Sequence, residues 1–330
     1  MTSLGTNSSA MSDLTDKTVF LAGGSTGLGE ELAVALASRG CHVTIFARRQ
    51  EQLEIAREKV SAARKSQSQD IIVQSLDLTD PEKIQSTFAS QPRLPDILYC
   101  LAGGTTNELG FLVDLDPTDL QRCMTNNYLT SAYPAQAILK LWVQDDKQKK
   151  SSPSVKGSVK RRKLVFISSA AAFVAFPGYI AYTPAKCAVR ALADTLRSEL
   201  KRYSGPVSEY SVHISFPSNF ISPSFIDELG NKPEITKQLD GTAAPITELT
   251  QKLHSSKQVA DYILKEVDKN EYVICSEYEA ALLFGAMIGP SPKRGIGFVD
   301  SCVSIAAVAA GPIIRRYLDA KVDKDRVMFN

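Results

Sequence analysis

The chain has 330 residues, 44% of them hydrophobic and 22% charged, with a formal net charge of +2. This composition buries a full core and excludes a disordered or collagen-like chain. So small a net charge, with no basic stripe interleaved with aromatics, argues against a nucleic-acid partner. Six cysteines at positions 41, 100, 123, 187, 275 and 302 form no C-x-x-C pair, and His42, His213 and His254 are equally scattered. No metal site, reduced thiols and a reducing compartment are therefore expected.

Residues 1–16 are polar and rich in Ser and Thr, without an apolar signal-type stretch, and are expected as a disordered lead-in. Thr18–Ala22 is a short apolar run that predicts a first strand. It leads into Gly23, Ser25, Thr26, Gly27, Leu28 and Gly29, followed by a helix over 28–39 that stops at Gly40. Strand, glycine loop and helix in that order make a phosphate cradle, because glycines let backbone N–H groups approach a pyrophosphate and the helix N-terminus faces it with partial positive charge. The next strand, His42–Ala47, ends in Arg48 and Arg49 rather than in an acid. A carboxylate near that point accepts from a ribose 2′-hydroxyl, whereas arginine accommodates a 2′-phosphate, so NADPH is expected over NADH. The plainer alternative is that both arginines solvate the turn before a helix over 50–64.

A third strand over 71–76 closes on Asp77 and Leu78, where a carboxylate and a backbone amide can meet an adenine. Asp80 as N-cap and Pro81 at the first helical position open a helix to about residue 90. A fourth strand over 97–101 ends at Ala102 and Gly103, and a long helix over 116–143 carries Asn126 and Asn127 in its middle. Adjacent amides are poor helix formers, so one of the two is expected to have another task. Residues 144–163 hold eight basic side chains against two acids and read as a solvated, flexible loop, with an anionic membrane surface as a second reading of the charge. A strand over 164–167 ends in Ser168 and Ser169, a helix over 182–203 tolerates Pro184 in its first turn, and a sixth strand covers 212–216.

Pro217 opens a segment whose stretch 218–252 is long enough for a lid or substrate loop. Ser255 and Gln258 form a capping-box pair for a helix to about 269, and a seventh strand covers 272–275. The expectation is an α/β chain: a single-domain, doubly wound Rossmann fold over 17–276 with a seven-stranded parallel sheet, binding ligands beyond the carboxyl ends of its strands. Residues 277–330 are expected as an apolar, membrane-associated C-terminal extension. Within it, 296–314 is 19 mostly apolar residues followed by Arg315 and Arg316, near the ~20 needed to cross a bilayer. Asp300 is costly in hydrocarbon, so a surface-lying or re-entrant helix and a core or dimer-interface helix stand beside a span.

Tyr182 and Lys186 have the one spacing that dictates geometry: on a helix they lie one turn apart on the same face. A neighbouring ammonium favours the phenolate and is expected to lower the tyrosine's pKa. Taken together, Gly23-x-x-x-Gly27-x-Gly29, Ala102-Gly103, Asn127, Ser169 and Tyr182-x-x-x-Lys186 resemble the classical short-chain dehydrogenases/reductases over about residues 17–276. Leu101 departs from the pattern, since the family usually has Asn there. The resemblance implies Tyr182 as general acid to a carbonyl oxygen, Lys186 binding the nicotinamide ribose, Ser169 holding the substrate oxygen, and Asn127 rather than Asn126 anchoring a water beside the lysine. For Ser169 a strand-end serine capping a turn remains the bland alternative. Pro217, Asn219 and Ser222 resemble the segment that closes over the nicotinamide amide.

Residues 127–134 and 181–193 further resemble the branch of that family that reduces a long-chain amino ketone in sphingolipid synthesis, with NADPH, at the cytosolic face of the endoplasmic reticulum membrane. A steroid or retinoid reductase would share the catalytic set and differ in 218–252. A binding-only NADPH sensor or scaffold has no need of the tyrosine acid. A homodimer or homotetramer is implied by the resemblance alone.

Overall fold

The computed structural model describes residues 14–105, 107–150, 159–287 and 293–325. In chain order the first half comprises β1 (Thr18–Ala22), α1 (Gly27–Ser38), β2 (His42–Ala47), α2 (Gln50–Ala62), β3 (Ile71–Ser75), α3 (Pro81–Ala89), β4 (Ile97–Cys100), α4 (Pro117–Met124) and α5 (Thr130–Lys150). The second half comprises β5 (Lys160–Ile167), α6 (Tyr182–Glu199), β6 (Ser208–Ser215), α7 (Pro223–Asn231), α8 (Glu234–Asp240), α9 (Ile246–Lys252), α10 (Ser256–Asp268), β7 (Val273–Ile274), α11 (Tyr278–Met287) and α12 (Phe298–Asp325). Every strand pairing is parallel, and the seven strands lie in the order β3-β2-β1-β4-β5-β6-β7.

The sheet is covered on both faces because its strands are apolar on both. From β1, Val19 and Leu21 pack with Leu32 and Leu36 of α1, Val60 of α2 and Ile263 of α10. The intervening Phe20 and Ala22 pack on the other face with Phe88 of α3, Trp142 of α5 and Val189 of α6. The strand order reverses between β1 and β4, and the crevice at that switch point is where an open α/β sheet binds its ligand.

Residues 14–16, expected within the lead-in, are tied to the turn after α1: Leu14 N–H donates to the Arg39 carbonyl and Asp16 N–H to that of Gly40. Residues 1–13 lie outside the described residues. The long helix expected over 116–143 is interrupted. Thr125–Leu129 forms a π-turn between α4 and α5, and Pro134 inside α5 removes a further N–H from the ladder. Single π-turns concentrate at functional sites because they push a side chain off the regular helical face.

The solvated loop expected over 144–163 is shorter than that range. α5 runs on to Lys150 and β5 begins at Lys160, with 151–158 outside the described residues. Its charge is partly spent inside the protein. Arg162 is 2% exposed, pairs with Asp145 and Asp146, and donates from Nε to Ser208 Oγ at 3.0 Å. Asp146 also accepts from Tyr210 Oη at 2.5 Å. Sequence composition suggested water for a guanidinium that β5 carries into the core, where two carboxylates satisfy it. The segment 218–252 is likewise three short helices, α7 to α9, rather than an irregular loop.

At the C-terminus α11 and α12 pack against each other. A side chain on Gly285 would meet Val303 Cγ1 at 2.9 Å, so the glycine permits the close approach. Asp300 is 1% exposed and accepts from Arg294 N–H at 2.6 Å and Nε at 2.9 Å. Its charge is therefore met within the protein. Among the described residues no helix is long and apolar enough to cross a membrane. The outward face of α12 is nonetheless apolar: Phe298, Val299, Ile305, Val308 and Ile313 are all exposed.

Candidate active site

The carboxyl ends of β1, β4 and β5 open onto one cleft of about 910 Å³. Its floor is set by backbone approach. Gly23 has φ +94°, and a Cβ there would lie 2.5 Å from the Ala102 nitrogen, so only glycine fits. The Leu101 and Ala102 N–H groups both donate to the Ala22 carbonyl, which holds the β1 and β4 ends together. Leu101 thus makes its backbone contact at the position where the family usually has Asn.

The cleft is lined by Gly23, Ser25, Thr26, Gly27, Leu28 and Gly29, by Arg48, Arg49, Asp77 and Leu78, by Ala102 and Gly103, and by Pro217, Asn219 and Ser222. Every residue singled out for the cofactor in the sequence faces this one space. The N-cap of α1, Thr26, makes no side-chain cap bond, so the first-turn N–H groups point into the cleft without a side-chain acceptor. That is the donor set a pyrophosphate requires. Arg48 and Arg49 stand exposed at the end of β2. Asp77 Oδ1 accepts from Thr79 N–H at 2.9 Å and Thr79 Oγ1 at 2.8 Å. The Thr79 N–H bond, followed by the Thr79 hydroxyl and then the Arg48 charge, holds the Asp77 carboxyl below the usual range despite the opposing cost of burial. The residues fit a dinucleotide.

At the other end of the cleft, Ser169, Tyr182 and Lys186 line the wall. Tyr182 is the first residue of α6, and Lys186, one turn on, has Nζ 5.5 Å from the centre of the tyrosine ring. Lys186 Nζ donates to the Ile167 carbonyl at 3.2 Å, and burial pushes its pKa down to about 8. The expected lowering of Tyr182 is not what the site produces. Burial holds the phenol well above its ordinary range, the Glu228 carboxylate adds to that, and the Ser169 hydroxyl only partly offsets them. Helical spacing brings the ammonium close, but desolvation sets the direction of the shift. Ser169 Oγ also accepts from Ala171 N–H at 3.2 Å, so it caps the turn as well as facing the cleft.

Asn127 does not line the cleft, whereas Asn126 does. Asn127 sits in the π-turn, fully buried behind the wall. Its Oδ1 accepts from Gly104 N–H at 2.9 Å, and its Nδ2 donates to the Gly104 and Cys123 carbonyls at 2.9 and 3.0 Å. Its side chain acts on the Gly103–Gly104 loop rather than on Lys186 directly.

The sequence reading missed a group contributed by the lid helices. Tyr179 and Glu228 line the cleft beside Tyr182, and Asp240 and Phe225 close it. The rings of Tyr179 and Tyr182 are 5.7 Å apart, and Tyr179 Oη donates to Glu228 Oε1 at 2.5 Å. Lys232, whose side chain has no exposed surface, bridges Glu228 Oε1 at 3.0 Å and Asp240 Oδ2 at 2.7 Å. Glu228 and Lys232 are an i,i+4 pair that local spacing could have signalled, but no spacing rule joins them to Tyr179 or Asp240, so only folding of α7 and α8 over the sheet assembles the group.

A parallel 3-2-1-4-5-6-7 sheet, a glycine cradle at its switch point and a Ser-Tyr-Lys wall beside it define a class of nicotinamide-dependent oxidoreductase. Residues 17–214 match the family described as short chain dehydrogenase, and the chain belongs to it. Among individual proteins the chain is similar to the 3-ketodihydrosphingosine reductase ksrA of Aspergillus fumigatus, 32% identical over 300 residues that cover 85% of this chain and 77% of that one. It is also similar to a PIGF/3-ketodihydrosphingosine reductase fusion protein of Schizosaccharomyces pombe, 30% identical over 93% of this chain and 56% of the fusion. A 3-dehydrosphinganine reductase of Danio rerio is 26% identical over 84% of this chain and 76% of its own length. Two solved structures share the fold. A short chain dehydrogenase/reductase from Burkholderia phymatum in complex with NAD has TM-score 0.64 at 16% identity, covering 80% of this chain and 90% of that one. Levodione reductase has TM-score 0.65 at 16% identity, covering 81% and 98%.

Proposed function

We propose that the chain reduces 3-ketodihydrosphingosine to dihydrosphingosine with NADPH, as a step of sphingolipid synthesis. The observation that carries this reading is the convergence of Ser169, Tyr182 and Lys186 on one wall of a dinucleotide-shaped cleft, in a chain whose relatives from fungi to zebrafish bear that activity in their names. NADPH rather than NADH is supported by Arg48 and Arg49 at the end of β2, where a 2′-phosphate would sit.

Bound NADPH supplies the hydride. The chain's own residues supply orientation and a proton. The Ser169 hydroxyl donates to the ketone oxygen and holds it against Tyr182. Burial keeps the Tyr182 phenol protonated, which is the state a general acid needs at the start of a reduction. The alkoxide left by hydride addition is a far stronger base than a phenolate, so the proton moves from Tyr182 Oη to that oxygen downhill. Lys186, with its charge beside the ring, stabilises the phenolate as it forms, and would hold the ribose of a bound cofactor. Asn127 fixes the Gly103–Gly104 loop on which the cofactor would rest.

The exposed apolar row of α12 supports a surface-lying membrane contact; the endoplasmic reticulum, with the cleft toward the cytosol, is the membrane the resemblance favours. α11, which carries the cleft-lining Leu283, packs against α12, so the row adjoins the wall past which a lipid would enter. A homodimer or homotetramer through α4 to α6 is the assembly the resemblance favours, and sedimentation of the purified chain tests it. The deciding experiment is NADPH oxidation with 3-ketodihydrosphingosine beside a ketosteroid. Turnover of the long-chain amino ketone alone supports the reading, and preference for the steroid overturns it.

A further inference from the structure

The substrate of the proposed reaction carries a protonated amine on the carbon next to the reacting ketone, and this inference rests on that reading. Whatever holds the ketone oxygen at Tyr182 therefore brings a cation to the neighbouring wall. That wall holds Tyr179, Glu228 and Asp240.

The charges there do not balance. Glu228 and Asp240 bring two carboxylates, and Lys232 between them brings one ammonium that is fully enclosed and serves both. Both oxygens of Asp240 are engaged without the Tyr179 proton: Oδ1 accepts from Thr242 N–H at 3.1 Å and Thr242 Oγ1 at 2.6 Å, and Oδ2 accepts from Lys232 Nζ at 2.7 Å. Glu228 receives Tyr179 Oη and Lys232 on Oε1 alone, which leaves Oε2 without a donor among the described residues. The other acids of the cleft sit apart from this arrangement: Glu108 is paired with Arg122, Asp77 lies at the end of β3 near Arg48, and Glu279 is exposed on α11. The cation on the catalytic side, Lys186, is directed at the Ile167 carbonyl. Glu228 also acts on Tyr182 through space, which sets the two groups within electrostatic reach of each other. Around them Phe225, Leu239 and Leu283 offer apolar walls for an alkyl chain.

We infer that Glu228 is the specificity residue of the site: its free carboxylate oxygen receives the substrate's ammonium while Tyr179 and Lys232 hold the carboxylate in place from behind. The chemistry selected is a long-chain ketone bearing a cationic amine on the adjacent carbon. An N-acylated ketone, lacking that charge, leaves a partly buried carboxylate unpaired and is disfavoured.

The test compares kcat/KM for 3-ketodihydrosphingosine and its N-acetyl derivative, with NADPH, in the wild-type chain and in Glu228→Gln. The wild-type ratio should favour the free amine, and Glu228→Gln should shrink that ratio by about tenfold to a hundredfold, the size of a hydrogen bond to a charged group. A general loss of acid catalysis or of lid packing would lower both substrates together and leave the ratio alone. A ratio unchanged within about threefold overturns the inference. Should Glu228→Gln fail to fold, the wild-type chain still decides: equal turnover of the two ketones overturns the ammonium site. Absence of turnover on both by the wild-type chain overturns the proposed function and the inference with it.

Discussion

Replacing Asn127 by Leu tests the link from the π-turn to the cofactor loop. The substitution keeps the branched heavy-atom skeleton and removes three hydrogen bonds, one from Gly104 N–H and two to the Gly104 and Cys123 carbonyls. At about 1 kcal/mol net for each neutral hydrogen bond the loss is about 3 kcal/mol. Gly104 is only half-buried and can turn to water, which works against a larger cost. With an unfolding entropy of about 2.1 cal/mol/K per residue, 3 kcal/mol in a chain of 330 residues lowers Tm by about 4 °C. Calorimetry reads that shift. Because Gly103 and Gly104 border the cleft, NADPH affinity by fluorescence titration should weaken about tenfold, as a loop that loses both of its bonds to Asn127 must be reordered on binding. Asn126→Leu, on the cleft side of the same turn, should leave Tm within about 1 °C, since a surface substitution costs at most ~0.5 kcal/mol. An Asn127→Leu protein that melts and binds NADPH as the wild type does would refute the reasoning.

Tyr182→Phe removes the acid but keeps the ring, and turnover should fall by at least about a thousandfold with NADPH binding changed less than about threefold; retained turnover sinks the assignment. Arg48→Ala with Arg49→Ala should weaken NADPH by at least about tenfold and NADH little, as only the former carries the 2′-phosphate; equal losses would return both arginines to turn solvation. His213 is buried, and that burial, aided by the Lys163 charge and only partly opposed by its bond to the Glu271 carbonyl, pushes its pKa down from 6.5 to about 4. The unfolded chain thus binds a proton in this window that the folded chain refuses, and stability falls as pH drops from 6.5 to 4 by about 3 kcal/mol from this group. His213→Gln should show a shallower acid loss in urea titrations, and an unchanged slope would count against it. Ile305→Asp with Val308→Asp, both on the exposed face of α12, should abolish co-flotation with phospholipid vesicles; undiminished flotation would remove α12 from membrane contact.

The sequence by itself determined the sheet and the cofactor half of the cleft. Fully apolar strands, Pro81 after a capping Asp80, and the Ser255–Gln258 capping box are local signals, and they need only neighbours in the chain to act. The glycine cradle and the Tyr182–Lys186 spacing are local for the same reason. What tertiary structure decided were matters of environment. Arg162 and Asp300 read as water-facing or costly charges in isolation, and each is buried against a partner, a neighbour only through folding in the case of Asp145 and Asp146. The direction of the Tyr182 shift turned on desolvation, which depends on what covers the ring and not on what lies four residues away. Glu228, Lys232 and Asp240 reach Tyr179 across about fifty or sixty positions, through helices whose placement no periodicity fixes. The chemistry of hydride transfer is thus written in short-range spacing, and the choice of ketone is made by contacts that exist only after α7 and α8 have closed over the sheet.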